Sequence, residues 1–365
     1  MTRPIYLVLL SDHVGGAEIR FFRIFKQLIK NSSSINLIFS KGFLKKVISF
    51  DEFKDFSSYS NNIKDIKTFS YYQKKSFNTI YTDVCSIVET NSILHFNQNF
   101  PATYPKKITH KTIYTFNENS LTRFSLKDHL FFVLILLRAN ITDILDPVIQ
   151  LKYKRLLFFK KEINRTQAGS VNPFDYKFNF QQKRNSIVFS GRFTNQKQVL
   201  LYANSIDQVY KDLTLQNISI EFYIIGDGPL TSIVNKKVSS LRKKGIIIHT
   251  GFMKDYKQII ENSKLFLSIQ KYNNYPSNSL MEAMACGNIP ITIANGSTKL
   301  LAKEGYSYYL PENFSPKQLS ECISGIFQLS KQDFEKRATL ARETIKTEYN
   351  VNLAAKYYYN LYNSL

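Results

Sequence analysis

Short apolar runs of strand length recur along the chain, separated by stretches whose apolar positions repeat at helical spacing. Residues 5–10 form such a run. A glycine pair, Gly15 and Gly16, follows, and then a helix predicted from about residue 17 to 30. Ile19, Phe22, Ile24, Phe25 and Leu28 give that helix a broad apolar face. Residues 35–39, 92–96 and 112–116 read as further strands of the same sheet. The last two run into polar positions, with Asn97 and Asn117 on the rim. Residues 41–80 are polar and charged with scattered aromatics, and no element is assigned to them. Residues 123–137 interleave Arg123, Lys127 and His129 with leucines and phenylalanines. Two readings of that helix stay open: burial between sheet and surface, or a basic amphipathic helix lying on a membrane.

Periodicity lapses over residues 166–184 and then resumes. Residues 186–190, 221–225, 246–249, 265–269 and 289–293 are predicted strands, each followed by a loop or helix. A tyrosine-rich helix over 353–362 closes the chain. Strands alternating with helices predict an α/β protein with parallel sheets, and the lapse puts a domain boundary near residue 180.

Composition narrows the class. At 365 residues, 44% of them hydrophobic, the chain suits two domains with cores of their own. Cys85, Cys286 and Cys322 stand at wide, unrelated spacings, which argues against a disulfide framework or a zinc site and for a reducing compartment. The N-terminus lacks the long apolar core of a signal peptide. The longest apolar run, residues 130–137, is far shorter than the roughly 20 residues of a membrane span. A cytoplasmic protein, soluble or peripheral on the inner membrane face, is expected. The net charge of +21 divides into +12 over residues 1–178 and +9 over the rest, so it is no basic tail. Nucleic acid is a possible partner for such a charge, but no recognised binding module is present. An anionic membrane surface together with a diphosphate ligand accounts for it better. A lysine- and asparagine-rich proteome would give part of the same excess.

The most informative stretch is KLFLSIQKYNNYPSNSLMEAMACGNIPIT, which begins at Lys264. It reads as strand, Asn-rich loop, helix and strand. Ser277 or Asn278 caps the helix, Gly287 ends it in a left-handed conformation, and Pro290 follows. A helix beginning at the C-terminal end of a parallel strand directs N–H groups and a positive dipole end at the ligand crevice, which suits a diphosphate. Glu282, one turn further on, has two readings: a solvated helix glutamate, or a carboxylate that accepts hydrogen bonds from ribose hydroxyls.

NYPSNSLMEAMACGNIPI resembles the donor-site segment of GT-B glycosyltransferases of family 4. GGAE after the first strand, GRFTNQKQ from Gly191, IIGDGPL and TGFMKD match further segments of that family. The resemblance covers nearly the whole chain. It implies two Rossmann-like doubly wound domains facing a cleft: an acceptor domain over 1–180, with the helix at 350–365 packing back on it, and a donor-binding domain over 181–349. It implies that Arg192, Lys197 and Glu282 carry the reaction. Gly15, Gly16, Gly191, Phe252, Met253, Asn274, Ser277, Asn278, Ser279 and Leu280 would contact the donor, with Asn117 at a position where the family often places a donor-touching His. Gln198 replaces the usual Gly after the lysine. The family's first Glu, eight residues before the second, is missing, and Asn273 and Asn274 occupy its neighbourhood.

The implied reaction transfers, with retention, a hexose or N-acetylhexosamine from a UDP- or GDP-sugar to a saccharide on a polyprenyl diphosphate, in surface-polysaccharide synthesis. It calls for no metal, because fixed cations and helix N-termini can take a divalent ion's place. One rival is a binding subunit of the same fold without turnover, suggested by the missing Glu. Another is a different reaction such as sugar-nucleotide epimerisation, which would call for a carboxylate or histidine cluster that the sequence does not offer.

Overall fold

The computed structural model describes residues 3–11, 15–41, 43, 58–67, 78–97, 110–117, 125–160, 162–253 and 256–365. The chain divides into two units, Met1–Ser170 with Tyr349–Leu365, and Val171–Glu348. In the first unit the order is β1 (Ile5–Leu9), α1 (Gly16–Ile29), β2 (Ile35–Ser40), β3 (Ile63–Ile66), α2 (Asn78–Cys85), β4 (Ile93–Asn97), β5 (Lys111–Phe116), α3 (Leu126–Arg138), β6 (Ile141–Ile144), α4 (Pro147–Leu156) and β7 (Ile163–Arg165). The second contains β8 (Arg184–Ser190), α5 (Val199–Leu215), β9 (Glu221–Ile225), α6 (Thr231–Lys243), β10 (Ile247–Gly251), α7 (Lys257–Asn262), β11 (Ser263–Ser268), α8 (Asn278–Ala285), β12 (Ile289–Ile293), α9 (Thr298–Leu301), β13 (Tyr308–Leu310), α10 (Pro316–Phe327) and α11 (Lys331–Glu348). The last helix, α12 (Val351–Asn363), returns to the first unit.

Both sheets are parallel throughout, ordered β3-β2-β1-β4-β5-β6-β7 and β10-β9-β8-β11-β12-β13. In each, the first strand of the unit lies inside and the order reverses beside it, which is the doubly wound arrangement. Helices cover both faces, so β1 is buried along its whole length and reads as a continuous apolar run. Its Ile5, Leu7 and Leu9 enter the core under α1 and α12, whereas Tyr6 and Val8 enter the core on the opposite face.

Residues 123–137 were open between two readings. Arg123 lies outside the described residues. The helix begins at Leu126, where Ser125 and Asp128 form a reciprocal cap. Only one side of it is buried: Phe132, Ile135 and Leu136 face the core, while Leu126 is 77% exposed. Strands β6 (ITDI) and β7 (INR) have no counterpart in the sequence-based reading, because they are short and mix polar with apolar residues; in β6 the polar pair Thr142 and Asp143 is fully buried.

Asp143 belongs to a hydrogen-bonded row of buried polar side chains across the first sheet. The Tyr362 hydroxyl of α12 lies 2.7 Å from His95 Nδ1, and His95 Nε2 lies 2.7 Å from Thr115 Oγ1. Thr115 donates in turn to Asp143, which also accepts from Thr166 at 2.5 Å. Because Thr115 gives its proton to Asp143, it accepts from Nε2–H, and Nδ1 then accepts from Tyr362. His95 is therefore a neutral core residue. Burial, reinforced by the charge of Arg20, depresses its pKa to about 3. Burial raises the Asp143 carboxyl, while the two threonine hydroxyls and Arg20 favour its ionised form. The row ties α12, at the far end of the chain, to three adjacent strands.

Candidate active site

The second unit gathers the charged candidates at the C-terminal ends of its strands. After β8 the chain turns at Gly191. Gly191 N–H donates to Ile225 at 3.0 Å and Phe193 N–H to Asp227 at 2.8 Å, so the loop carrying Arg192 is laid along the end of β9. This close approach requires Gly226, whose φ is +147°, since a Cβ there would lie 1.9 Å from the Gly191 carbonyl oxygen. Arg192 is exposed at the tip. A single 3₁₀ turn, Asn195–Lys197, follows and ends on Gln198 at φ +50°. This is the position where the resemblance puts glycine, and the left-handed backbone explains why. Gln198 adopts it at a cost, and its side-chain Oε1 is buried without a hydrogen-bond partner among the described residues.

Lys197 reaches back across the strand ends. Its ammonium lies 3.5 Å from Asn274 Oδ1, and desolvation lowers its pKa to about 8. The loop between β11 and α8 is held by its own polar groups. Lys271 N–H donates to Gln196 at 2.9 Å, and Asn295 donates to the carbonyls of Gln270 and Lys271. Asn273 Oδ1 accepts from the N–H groups of Tyr275 and Ser297 at 3.2 and 3.1 Å. The two asparagines in the neighbourhood of the absent glutamate thus differ. Asn273 is part of the loop's scaffold, and Asn274 faces the lysine.

Ser277 caps α8, its hydroxyl accepting from Leu280 N–H at 3.4 Å. Ser279 donates to the Ser190 carbonyl at 3.4 Å, which fixes the helix start beside the end of β8. Gly287 ends the helix with φ +76°. Asn278 is the first residue of α8, and Leu280 is buried beneath the helix start. Glu282 is not a solvated helix residue: it is 8% exposed and accepts a hydrogen bond from the Tyr256 hydroxyl. Phe252, 61% exposed, and the half-buried Met253 follow β10.

The structure therefore brings Gly191, Arg192, Lys197, Asn274, Ser277–Leu280 and Glu282 to one end of the second sheet. Gly15, Gly16 and Asn117 belong to the first unit. Gly15 caps α1 and its N–H donates to Glu18 at 3.1 Å, so this glycine pair opens a helix as its position after β1 requires. Asn117, buried, directly follows β5 and donates to Asn97 at the end of β4. Among the described residues Asn97 Nδ2 and Asn117 Oδ1 have no partner, leaving one donor and one acceptor side by side. Tyr256 is the residue that sequence reasoning missed. It is 26 positions from Glu282, and no local pattern connects the two.

Two cations, a helix start and a buried carboxylate at parallel strand ends are an arrangement that suits an anionic ligand. Residues 184–328, all within the second unit, match the model of the glycosyl transferases group 1. No curated protein matches the chain in sequence. Among solved structures, HepE of Anabaena in complex with UDP and glucose superposes with a TM-score of 0.74 at 14% identity, over 100% of both chains. A glycosyltransferase from Rickettsia africae gives 0.74 at 14%, over 100% of this chain and 99% of its own. A mutant of S. aureus TarM in complex with fondaparinux, alpha-GlcNAc-glycerol and UDP gives 0.73 at 13%, over 100% of both. These likenesses establish the GT-B fold.

Proposed function

We propose that this chain is a retaining glycosyltransferase that moves a hexose or N-acetylhexosamine from a nucleotide-sugar to a saccharide acceptor. The second unit is the donor-binding domain and the first the acceptor domain. The observation that carries the reading is the convergence of Arg192, Lys197 and the start of α8 at one sheet end, with Glu282 buried one turn below. As the glycosidic bond breaks, negative charge develops on the departing nucleoside diphosphate. Two cations and a helix N-terminus stabilise it. Asn274 sharpens the argument. A carboxylate there would pair with Lys197, whereas a neutral amide leaves the ammonium's charge for the diphosphate. Glu282, oriented by Tyr256, takes the ribose hydroxyls, and Phe252 and Met253 lie along the base. UDP is the favoured nucleotide, since HepE and TarM were each solved with it.

The finer reading is a lipid-linked acceptor on a polyprenyl diphosphate, in the synthesis of a surface polysaccharide at the inner membrane face. The net charge of +21 supports it. Among the described residues no helix is long and apolar enough to cross a membrane.

The test is a thermal-shift panel of UDP-, GDP-, ADP- and CMP-sugars on wild type and Lys197→Ala. A saturating donor at about 100 Kd adds roughly 2.7 kcal/mol. One nucleotide should stabilise wild type and not the variant; stabilisation by none overturns the donor site. The second reading, a binding subunit without turnover, is favoured by one observation, the amide of Asn274 in the carboxylate's place. Nucleotide binding without release of nucleoside diphosphate, in the presence of acceptor, would decide for it.

A further inference from the structure

The outward side of α3 and α4 takes no part in the site described above. Of the eighteen large hydrophobic side chains exposed among the described residues, ten fall between residues 126 and 159. On α3 they include Leu126, Leu130 and Leu134, four residues apart along one stripe. On α4 and the turn after it they include Val148, Leu151 and Phe158, the last 83% exposed. The two helices are neighbours. His129 Nδ1 lies 2.7 Å from the Tyr153 hydroxyl, and the Phe132 and Tyr153 rings meet edge to face at 4.8 Å. Their inward residues, Phe132, Leu136, Ile149 and Tyr153, already fill the core against the sheet. The outer stripes are therefore one apolar face in addition to the core, and a face of this extent marks an interaction surface.

Charge says what kind. Lys127, Lys152, Lys154 and Arg155 are exposed on the same two helices. Asp128 is the one acidic residue within them, and it is engaged by Ser125 at the start of α3. Apolar stripes edged by long cationic side chains suit the plane of an anionic bilayer. The apolar atoms enter the acyl boundary, and the ammonium and guanidinium groups extend to the headgroup phosphates. A second copy of the chain fits less well, because pairing this face with itself sets the same cations against one another.

We infer that the outer face of α3 and α4 is a docking surface for anionic phospholipid headgroups. The inference deepens the membrane-linked part of the function proposed above and stands apart from its donor chemistry. It is tested by floating the full chain with phosphatidylcholine vesicles, with and without phosphatidylglycerol. The variants are Leu130→Ser/Leu134→Ser and Lys152→Glu/Arg155→Glu, all at exposed positions. Leu215→Ser, at an 84% exposed leucine in the second unit, is the control. Wild type and control should bind anionic vesicles at least about tenfold better than neutral ones, and each double variant should lose about tenfold. Added salt should weaken the wild-type binding. Three results would overturn the inference: equal binding to both vesicle types, double variants that float like wild type, or a wild-type dimer that both variants dissolve. Thermal shift by UDP-sugar, read on the same samples, keeps the two proposals distinct. Wild type that fails to float but still responds to donor sinks the docking surface alone. Wild type that floats without responding sinks the donor reading alone.

Discussion

The two units share the order of their first six strands and differ in where their polar chemistry lies. In the second, charged and amide side chains collect at the strand ends, where Arg192 is exposed and Lys197 lies against the Asn274 amide. In the first, His95, Thr115, Asp143 and Thr166 form a row inside the sheet and hold α12. Polar groups at a strand end are available to a ligand and give up stability for that. Polar groups inside a sheet must satisfy one another, so they serve the architecture. The same residue types thus have opposite uses according to their depth.

The strongest way to break this comparison is Asp143→Ala. It leaves the Thr115 and Thr166 hydroxyls without their buried acceptor and should cost about 1–3 kcal/mol for each of them in urea unfolding. If the loss is below about 1 kcal/mol, the row is not structural. Next is Lys197→Ala, expected to lower kcat/KM by about 10²–10³ while the urea midpoint holds. A loss of stability with unchanged turnover would reverse the assignment of roles.

The pH dependence of donor affinity sharpens the comparison at its site. The free Lys197 ammonium, held to about 8, is the form that attracts a diphosphate. Affinity should be flat below pH 8 and fall about tenfold per unit above it. Asn274→Glu supplies an ionic partner, raises the lysine pKa and moves the fall to higher pH. Calorimetric titration between pH 7 and 9.5 reads both, and an unshifted curve for the variant would detach Asn274 from Lys197. The smallest effect is a gain: Gln198→Gly removes a left-handed side chain and an unpaired buried oxygen and should add about 1 kcal/mol. A lower melting temperature would mean that the glutamine makes contacts worth more than its strain.

Much of the second unit was legible because its signals are local. The cap at Ser277, the left-handed Gly287 and the apolar strand after it are all set within a few residues of one another. The first unit yielded less. Strands β6 and β7 are four and three residues long, and Asp143 reads as a surface residue until the threonines on either side are seen to hold it. The role of His95 likewise shows only in the fold, because its partner Tyr362 is 267 residues away. The helix over 126–138 was ambiguous for a different reason. Its leucines lie on both sides, and composition does not say which side the sheet covers.

What the sequence determined by itself is whatever depends on backbone conformation and short-range periodicity. That includes the alternation of strands and helices, the capped helix starts at strand ends, and the spacing that sets Arg192, Lys197 and Glu282 at successive loop and helix positions. Tertiary structure decided which polar groups were paired and which were left to a ligand: Tyr256 on Glu282, Asn274 on Lys197, Asn117 on Asn97. Pairing depends on distance in space between residues far apart in the chain, and burial then sets the energy of each pair, so neither can be read until the sheets are assembled.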